Sequence, residues 1–206
     1  MKALFISDMH GEEAALEKLK GIRRDYDLVV CAGDIGESVS FLGEFFSLGG
    51  ELYAIPGNND PPSMEQIAGK HWLHGKRVEL GGGVNMVGFG YSPPTPFGTP
   101  GEMEEGEIYS QMGKLPIDGK TILVTHAPPK GVLDEVCGGV HAGSTAVRRI
   151  VEEKAPLVLV CGHIHEAEGK EKVGETTVLK LAPAKNMRGG VVEITDGRAT
   201  VRNSGL

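Results

Sequence analysis

The chain has 206 residues, 40% of them apolar and 24% charged, which is the composition of an ordinary globular protein. A net charge of −7 and an aromatic content of 5% argue against non-specific nucleic-acid binding, because phosphates are repelled and few rings can stack on bases. No apolar run is long enough to cross a bilayer, so we expect no membrane contact.

Chain length and cysteine usage limit the organisation of the protein. A chain of this size can bury one sizeable core, so we predict a single domain over residues 1–206. The three cysteines, Cys31, Cys137 and Cys161, lack metal-site spacing, which indicates buried reduced thiols. The N-terminal segment reaches Asp8 too soon for the apolar region of a signal peptide, so a cytoplasmic location is expected. Both a monomer and a homo-oligomer are compatible with these features.

The first third of the chain has the pattern of a βαβ unit. Residues 2–7 and 27–32 are apolar runs typical of buried strands, and residues 12–24 between them have the period of an amphipathic helix. A second helix, a strand at 51–56 and a short helix at 62–69 follow. Strands that alternate with helices favour a mainly parallel sheet.

The middle of the chain changes character. Residues 76–90 predict a hairpin whose turn is the glycine triplet in "KRVELGGGVNMVGFG". The proline-rich segment from Tyr91 to Gly106 predicts a long loop, and loops of this length are usually functional, so it is a candidate substrate lid. The acidic run "EMEEGE" at 102–107 is interpreted as solvated surface of that loop.

The last part of the chain returns to alternating elements. Residues 120–125 and 156–162 are apolar runs typical of strands, and residues 143–155 between them predict a helix with Ser144 as its N-cap. Residues 170–203 alternate β-branched and polar residues around turn signals, which indicates antiparallel strands. The fold class is therefore α/β with two sheets, of which the second is expected to be largely antiparallel.

Polar side chains follow five of the apolar runs, at the points where the predicted strands end. Because the carboxyl ends of parallel strands meet at one edge of a sheet, we expect these side chains to converge on one site. They are Asp8, His10, Asp34, Asn58, His126, His163 and His165.

The chemistry of these side chains favours a pair of divalent cations. Carboxylate, amide and imidazole ligands together suit Mn, Fe, Co, Ni or Zn better than Mg or Ca. Two cations about 3.5–4 Å apart need a shared anionic ligand, and they clamp the attacking and leaving oxygens of a displacement at phosphorus. A water that bridges them would be present as hydroxide near neutral pH.

The order of these residues resembles the motifs of the calcineurin-like metallophosphoesterases. The chain has D-M-H at 8–10, G-D at 33–34, G-N-N-D at 57–60, His126, and G-H-I-H at 162–165. The segment from the fourth motif to the fifth is similar to a small phosphodiesterase-like subgroup of that family. The resemblance implies an α/β fold with a two-sheet β-sandwich flanked by helices in four αββα layers, and a metal-dependent phosphoesterase.

The resemblance also implies a ligand set for each metal ion. One ion would be bound by Asp8, His10, Asp34 and His165. The other would be bound by Asp34, Asn58, His126 and His163, so that Asp34 is the bridge. Manganese is the first expectation, with iron, nickel, cobalt and zinc as alternatives.

One position departs from the family pattern. Active family members commonly have histidine in the third place of G-N-H-[D/E], where it protonates the leaving oxygen or binds the phosphate, whereas this chain has Asn59. An amide can bind a phosphoryl oxygen but cannot act as a general acid, so we predict hydrolysis of phosphodiesters. The substrate is expected to be a small phosphoester, with nucleotides among the candidates. The alternatives are a phosphomonoesterase or protein phosphatase, with a metal-bound water or His10 as proton donor, and a non-catalytic scaffold for protein partners.

Four further residues complete the set of expectations. Asp60 is predicted to orient the ligand Asn58. His141 precedes a helix whose N-terminal amides could face a phosphate, which makes it a candidate site residue. His71 and His74 lie in a polar connector and are expected at the surface.

Overall fold

The computed structural model describes all 206 residues, with thirteen strands and five α-helices. The strands are β1 (Lys2–Ile6), β2 (Leu28–Ala32), β3 (Glu51–Ile55), β4 (Arg77–Gly81), β5 (Val84–Phe89), β6 (Thr121–Thr125), β7 (Glu135–Val136), β8 (Val140–His141), β9 (Val158–Cys161), β10 (Gly169–Val173), β11 (Thr176–Lys180), β12 (Arg188–Thr195) and β13 (Arg198–Gly205). The helices are α1 (Glu13–Ile22), α2 (Val39–Phe46), α3 (Met64–Ala68), α4 (Glu105–Gly113) and α5 (Thr145–Lys154).

Eleven of the strands form two mixed sheets. The first sheet has five strands in the order β13-β12-β1-β2-β3, and the second has six in the order β10-β11-β9-β6-β5-β4. Strands β1, β2 and β3 of the first sheet pair in parallel, as do β5, β6, β9 and β11 of the second, while the remaining pairings in both sheets are antiparallel. The glycine triplet forms the turn between β4 and β5, as the sequence predicts.

The prediction that the second sheet would be largely antiparallel is wrong. The C-terminal strands do pair as hairpins, but β10 and β11 extend the second sheet while β12 and β13 extend the first. β11 also pairs in parallel with β9, and β12 pairs antiparallel with β1. The alternating pattern of the tail indicates the local hairpins, but it carries no information about which sheet edge each hairpin joins.

Two sheets and their helices stack in four layers, as the resemblance implied. Alternate residues of one strand face opposite sides of a sheet, so Leu4 packs under the helices while Phe5 packs between the sheets. The inner core joins Phe5 to residues of the second sheet such as Val124. The outer face of the second sheet is covered by α4 and α5, through side chains such as Ile108 and Ile150. Each such buried side chain stabilises the fold by about 1.5–3 kcal/mol.

The acidic run at 102–107 is not simply a solvated loop, which corrects the interpretation from sequence. Glu105 begins α4, and its carboxylate accepts hydrogen bonds from Ser144 Oγ (2.7 Å) and from the main-chain N–H groups of Thr145 and Ala146 (both 2.8 Å). A carboxylate is stabilised at a helix N-terminus by the unpaired amides and the helix dipole. Glu105 therefore joins α4 to the start of α5.

Burial corrects three further expectations. Cys31 and Cys161 are buried as predicted, but Cys137 is exposed. His71 and His74 are half-buried and not surface residues. His71 Nδ1 lies 2.8 Å from the carbonyl oxygen of Leu52, and His74 Nδ1 accepts a hydrogen bond from the N–H of Gly90 (2.9 Å).

No helix in the chain combines the length and the apolar character that a membrane crossing requires.

The topology brings the five polar motifs together. Three parallel strands of the first sheet end at Ile6, Ala32 and Ile55, and two of the second sheet end at Thr125 and Cys161. Each of these ends is followed within three residues by one of the predicted ligands. The candidate site therefore lies where the carboxyl edges of the two sheets meet.

Candidate metal centre

The backbone of the candidate ligands is unusual. Asp8, His10, Asp34 and His163 have φ values of 57°, 50°, 53° and 72°, in the left-handed region that residues with a Cβ rarely adopt. Strain of this kind costs about 1–3 kcal/mol for each residue and persists only where neighbouring bonds impose it. Here the N–H of Asp8 donates to Gly33 O (3.0 Å) and the N–H of His10 donates to Asp34 O (2.9 Å), so the first two motifs brace each other.

Two glycines allow the motifs to approach closely. A Cβ at Gly57 would overlap the carboxylate of Asp34, and a Cβ at Gly162 would overlap the side chains of Ser7 and Asp8. Glycine is needed at these positions because the facing side chains already occupy the space of a methyl group. This explains why a glycine precedes the candidate ligands Asn58 and His163 in the sequence.

The first group of ligand atoms surrounds one oxygen of Asp8. Asp8 Oδ1 lies 3.4 Å from His165 Nε2 and 3.9 Å from His10 Nε2, and the two imidazole nitrogens are 3.4 Å apart. Asp8 is fully buried, and Oδ1 accepts no hydrogen bond. A buried carboxylate oxygen without a partner is costly unless a cation or donor completes its surroundings.

The second group contains an amide oxygen and two imidazole nitrogens. His126 Nε2 lies 3.0 Å from Asn58 Oδ1 and 3.2 Å from His163 Nδ1. His126 Nδ1 donates to the carbonyl oxygen of Ala32 over 2.8 Å, and this bond fixes the ring with Nε2 toward the group. A hydrogen bond to the distal nitrogen is the usual arrangement of a metal-binding histidine.

Asp34 lies between the two groups. Its Oδ2 is 3.7 Å from His10 Nε2 in the first group and 3.5 Å from His126 Nε2 in the second. Asn59 holds this carboxylate, since its main-chain N–H donates to Oδ1 (2.9 Å) and its amide Nδ2 donates to Oδ2 (2.6 Å). The atoms of Asp8, Asp34 and His126 also lie within 4.8 Å of one another, so the two groups form one continuous cluster.

Asp60 holds the loops that carry these ligands. Its carboxylate accepts hydrogen bonds from the N–H groups of Asp34 (2.8 Å), Gly57 (2.8 Å) and Gly36 (3.1 Å). Burial, together with the charge of Asp34, raises the pKa of Asp60 to about 6. Asp60 contacts main-chain atoms on both sides of the cluster and fixes the spacing of the second and third motifs.

The titration of the cluster follows from its charges. Burial alone would lower the pKa of His126, but the carboxylate of Asp34 outweighs it and raises that pKa. Burial would raise the pKa of Asp34, and the charge of His126 reverses this and lowers it. Burial, reinforced by cationic His126, lowers the pKa of His163 to about 3. In the protein without metal, the carboxylate of Asp34 therefore favours the protonated form of His126.

The donor set fits a pair of divalent cations. Its members present carboxylate oxygens, one amide oxygen and imidazole nitrogens to a common space, and these are ligands of borderline transition metals. The partnerless Oδ1 of Asp8 can bind a cation directly, and Nε2 of His126 can do so after losing a proton, without breaking the bond from Nδ1 to a main-chain oxygen. The cluster could therefore hold two such ions with small movements of side chains.

The structure does not join His141 to this cluster. His141 lies in the β7–β8 hairpin, and its half-exposed ring donates from Nδ1 to the buried carboxylate of Asp134 (2.7 Å). The N-terminal amides of α5, which were expected to be available for a phosphate, are bound by Glu105. The remaining predicted residues, including Asn59 and Asp60, all contact the cluster.

Sequence reasoning missed three residues around the cluster. Buried Lys180 donates from Nζ to the carbonyl oxygen of Ile164 (2.5 Å), which lies between the candidate ligands His163 and His165 in the chain. Thr99 and Glu102, in the proline-rich segment, are hydrogen-bonded to each other, and Thr99 accepts from Asn58. The prolines did indicate a functional loop, but no motif marks the individual residues.

Residues 1–193 match the family described as the calcineurin-like phosphoesterase superfamily domain. A protein of Methanocaldococcus jannaschii, uncharacterized protein MJ1162, is 32% identical over 196 residues, covering 89% of this chain and 88% of that protein. The fold is similar to the crystal structure of TT1561 of Thermus thermophilus, with a TM-score of 0.73 and 16% identity over 98% of each chain. It is also similar to a dimetal phosphatase from Danio rerio, with a TM-score of 0.64 and 12% identity over 100% of this chain and 96% of that one.

Proposed function

The chain belongs to the calcineurin-like phosphoesterase superfamily, and from that premise we propose that it is a dinuclear metal-dependent hydrolase with a preference for phosphodiesters. The observation that carries the proposal is the position of Asp34, whose Oδ2 lies within 4 Å of a histidine nitrogen on each side. A carboxylate in that position can serve two cations at once, which a dinuclear centre requires.

The residues of the cluster divide into two ligand sets that share this carboxylate. Asp8, His10 and His165 would complete the first set, and Asn58, His126 and His163 the second. When bound, the two cations would supply Lewis acidity to the phosphoryl oxygens and lower the pKa of a shared water. The mixed N/O ligands favour manganese first, with iron, nickel, cobalt and zinc as alternatives.

The preference for diesters rests on Asn59. Its amide cannot give a proton to a leaving alkoxide, and the contact of its Nδ2 with Asp34 Oδ2 (2.6 Å) gives it a role in holding the bridge. Its second N–H remains available for a phosphoryl oxygen. Substrates whose leaving group needs little protonation, including activated diesters and nucleotide esters, are therefore the best fit.

We assign Asp60 and His141 to supporting roles. Asp60 would keep Asp34 in register through three main-chain hydrogen bonds. His141 would contact substrate from the hairpin that follows His126, since its ring is half-exposed and is oriented by the hydrogen bond from Nδ1 to buried Asp134. The unpaired buried thiols of Cys31 and Cys161 support a reducing, cytoplasmic location.

The test is hydrolysis of a bis-aryl phosphate and the matching mono-aryl phosphate by metal-stripped protein, with each candidate metal restored in turn. We expect manganese to restore cleavage, the diester to be cleaved faster, and Asp34→Asn to be inactive. Faster monoester cleavage would favour a phosphomonoesterase of the same fold. If no metal restores cleavage of either ester, the proposed hydrolase activity on simple esters is wrong and a protein-binding scaffold becomes the better account.

A further inference from the structure

The amide of Asn58 can bind a cation in only one of its two orientations. The two ends of an asparagine amide have nearly the same shape, but only the oxygen can act as a metal ligand. In the structure Asn58 Oδ1 faces His126 Nε2 at 3.0 Å, while Nδ2 donates to Thr99 Oγ1 at 3.0 Å. Once His126 has lost its proton and can no longer donate to Oδ1, the residue that contacts Nδ2 decides which end of the amide faces the metal cluster.

Thr99 can act only as an acceptor toward Asn58. Its hydroxyl has a single proton, and that proton is donated to Glu102 Oε1 over 2.7 Å. Hydrogen bonds from Thr95 and Thr99 lower the pKa of Glu102 to about 2, so this carboxylate is ionised at neutral pH and has no proton to give. The hydroxyl of Thr99 must therefore present a lone pair to Asn58, which only the NH₂ end can satisfy.

The segment that carries Thr99 is attached to the main chain of the third motif through Gly101. The N–H of Gly101 donates to the carbonyl oxygen of Asn58 (2.8 Å), and a Cβ at Gly101 would stand 2.5 Å from Gly57 O. The base of the loop is closed by the N–H of Ser92, which donates to Gly101 O (3.1 Å), and the N–H of Met103, which donates to Ser92 O (2.9 Å). The loop is thus fixed against the motif at the point where Thr99 reaches Asn58.

We infer that Glu102, acting through the hydroxyl of Thr99, holds Asn58 with its oxygen toward the second metal ion. Thr99 and Glu102 are positioning residues, since they would act on the ion only through Asn58. The inference rests on the proposed function, because it requires that Asn58 bind a metal. It gives the proline-rich segment a role in metal binding, although none of the five motifs lies in that segment.

The test is titration of Mn²⁺ into the metal-stripped full chain by calorimetry, comparing wild type with Thr99→Val, Thr99→Ser and Thr200→Val. Valine has the shape of threonine without the hydroxyl, serine restores the hydroxyl, and Thr200 is an exposed threonine of β13 that serves as the matched control. We expect Thr99→Val to weaken one of two sites by about ten- to hundredfold, the effect typical of losing an outer hydrogen bond to a metal ligand. The other site of Thr99→Val should keep wild-type affinity, and so should both sites of Thr99→Ser and Thr200→Val. Unchanged melting temperatures of the metal-free variants will exclude a folding defect.

The outcomes separate this inference from the proposed function. If wild type binds two Mn²⁺ ions and Thr99→Val binds both as tightly, the positioning role is wrong while the dinuclear centre stands. If Thr99→Ser is as weak as Thr99→Val, the hydroxyl is not what positions the amide, and the inference also fails. If wild type binds no second ion, it is the proposed function that fails.

Discussion

The main-chain N–H of His163 donates a hydrogen bond to Asp8 Oδ2 (2.9 Å), and this bond joins the last ligand motif to the first across 155 positions of sequence. Ser7 Oγ donates to the same oxygen (2.6 Å), so Oδ2 is fully engaged and Oδ1 alone lacks a partner. Hydrogen bonds within the protein thus set the geometry of these candidate ligands.

The close approach of these motifs predicts the effect of a methyl group at Gly162. Gly162→Ala places a Cβ where Ser7 Oγ and Asp8 Oδ2 lie, so the loop must shift. The cluster then loses its geometry. We expect loss of Mn²⁺ binding and a lower melting temperature. The matched control is Gly43→Ala in α2, where the new Cβ meets nothing within 4 Å. Alanine there should raise stability by up to about 1 kcal/mol. Normal Mn²⁺ binding by Gly162→Ala would show that the approach is not needed.

We predict that Lys180 couples the stability of the fold to the segment at 163–167, which carries His163 and His165. Its buried Nζ donates to the carbonyl oxygens of Ile164, Leu181 and Ala167 at 2.5, 2.9 and 3.3 Å, and burial lowers its pKa. Lys180→Met leaves these carbonyls without a donor, so we expect a loss of about 1–3 kcal/mol in urea unfolding and weaker Mn²⁺ binding. Lys172→Met, an exposed change on the neighbouring β10, should alter neither quantity. A Lys180→Met protein as stable as wild type would contradict this role.

We predict that His74 makes the folded protein less stable in acid. Its ring lies 4.9 Å from the rings of both Phe89 and Tyr91, and burial lowers its pKa from 6.5 to about 4. Between these pH values, His74 therefore binds a proton in the unfolded chain but not in the folded protein. The contribution of neutral His74 to the free energy of unfolding is complete above pH 6.5. It is lost as the pH falls toward 4, by up to about 3 kcal/mol.

The variant that tests this is His74→Asn, whose amide oxygen can replace Nδ1 as the acceptor for Gly90 N–H. Urea unfolding of both metal-free proteins at pH 7 and pH 4.5 should show a smaller loss in the variant. All other titrating groups are common to the two proteins, so their contributions cancel. An equal loss in both would mean that His74 does not contribute.

A substitution at Asn59 is predicted to change the preference between phosphomonoesters and phosphodiesters. Asn59→His introduces a group that can protonate a poor leaving group, which should raise monoester cleavage relative to diester cleavage by about a hundredfold. Asn59→Ala is the control, since it removes the contacts of Nδ2 with Asp34 without adding an acid. The ratio of kcat/KM values for matched mono-aryl and bis-aryl phosphates measures the change. An unchanged ratio in Asn59→His would mean that this position does not set the preference.

The sequence predicted the parts of the site that topology determines. Apolar runs located the strands, and the carboxyl ends of parallel strands meet at one edge, so Asp8, Asp34 and His126 converged as expected. The contacts that depend on long-range packing carried no such signal. Lys180 lies in an alternating strand where a lysine normally faces solvent, and Glu105 lies in a run whose charges indicated a solvated loop. The partners of these side chains lie mainly in other segments, at Ile164 and Ala167 for Lys180 and at Ser144 and Ala146 for Glu105, which local patterns do not specify.

The measurement that tests the central claim most directly is electron paramagnetic resonance of the protein loaded with two equivalents of Mn²⁺. If Asp34 bridges two ions, we predict an exchange-coupled dimanganese signal that appears at two equivalents and is absent in Asp34→Ala. Signals of isolated Mn²⁺ ions only, or saturation at one equivalent, would contradict a bridged dinuclear centre.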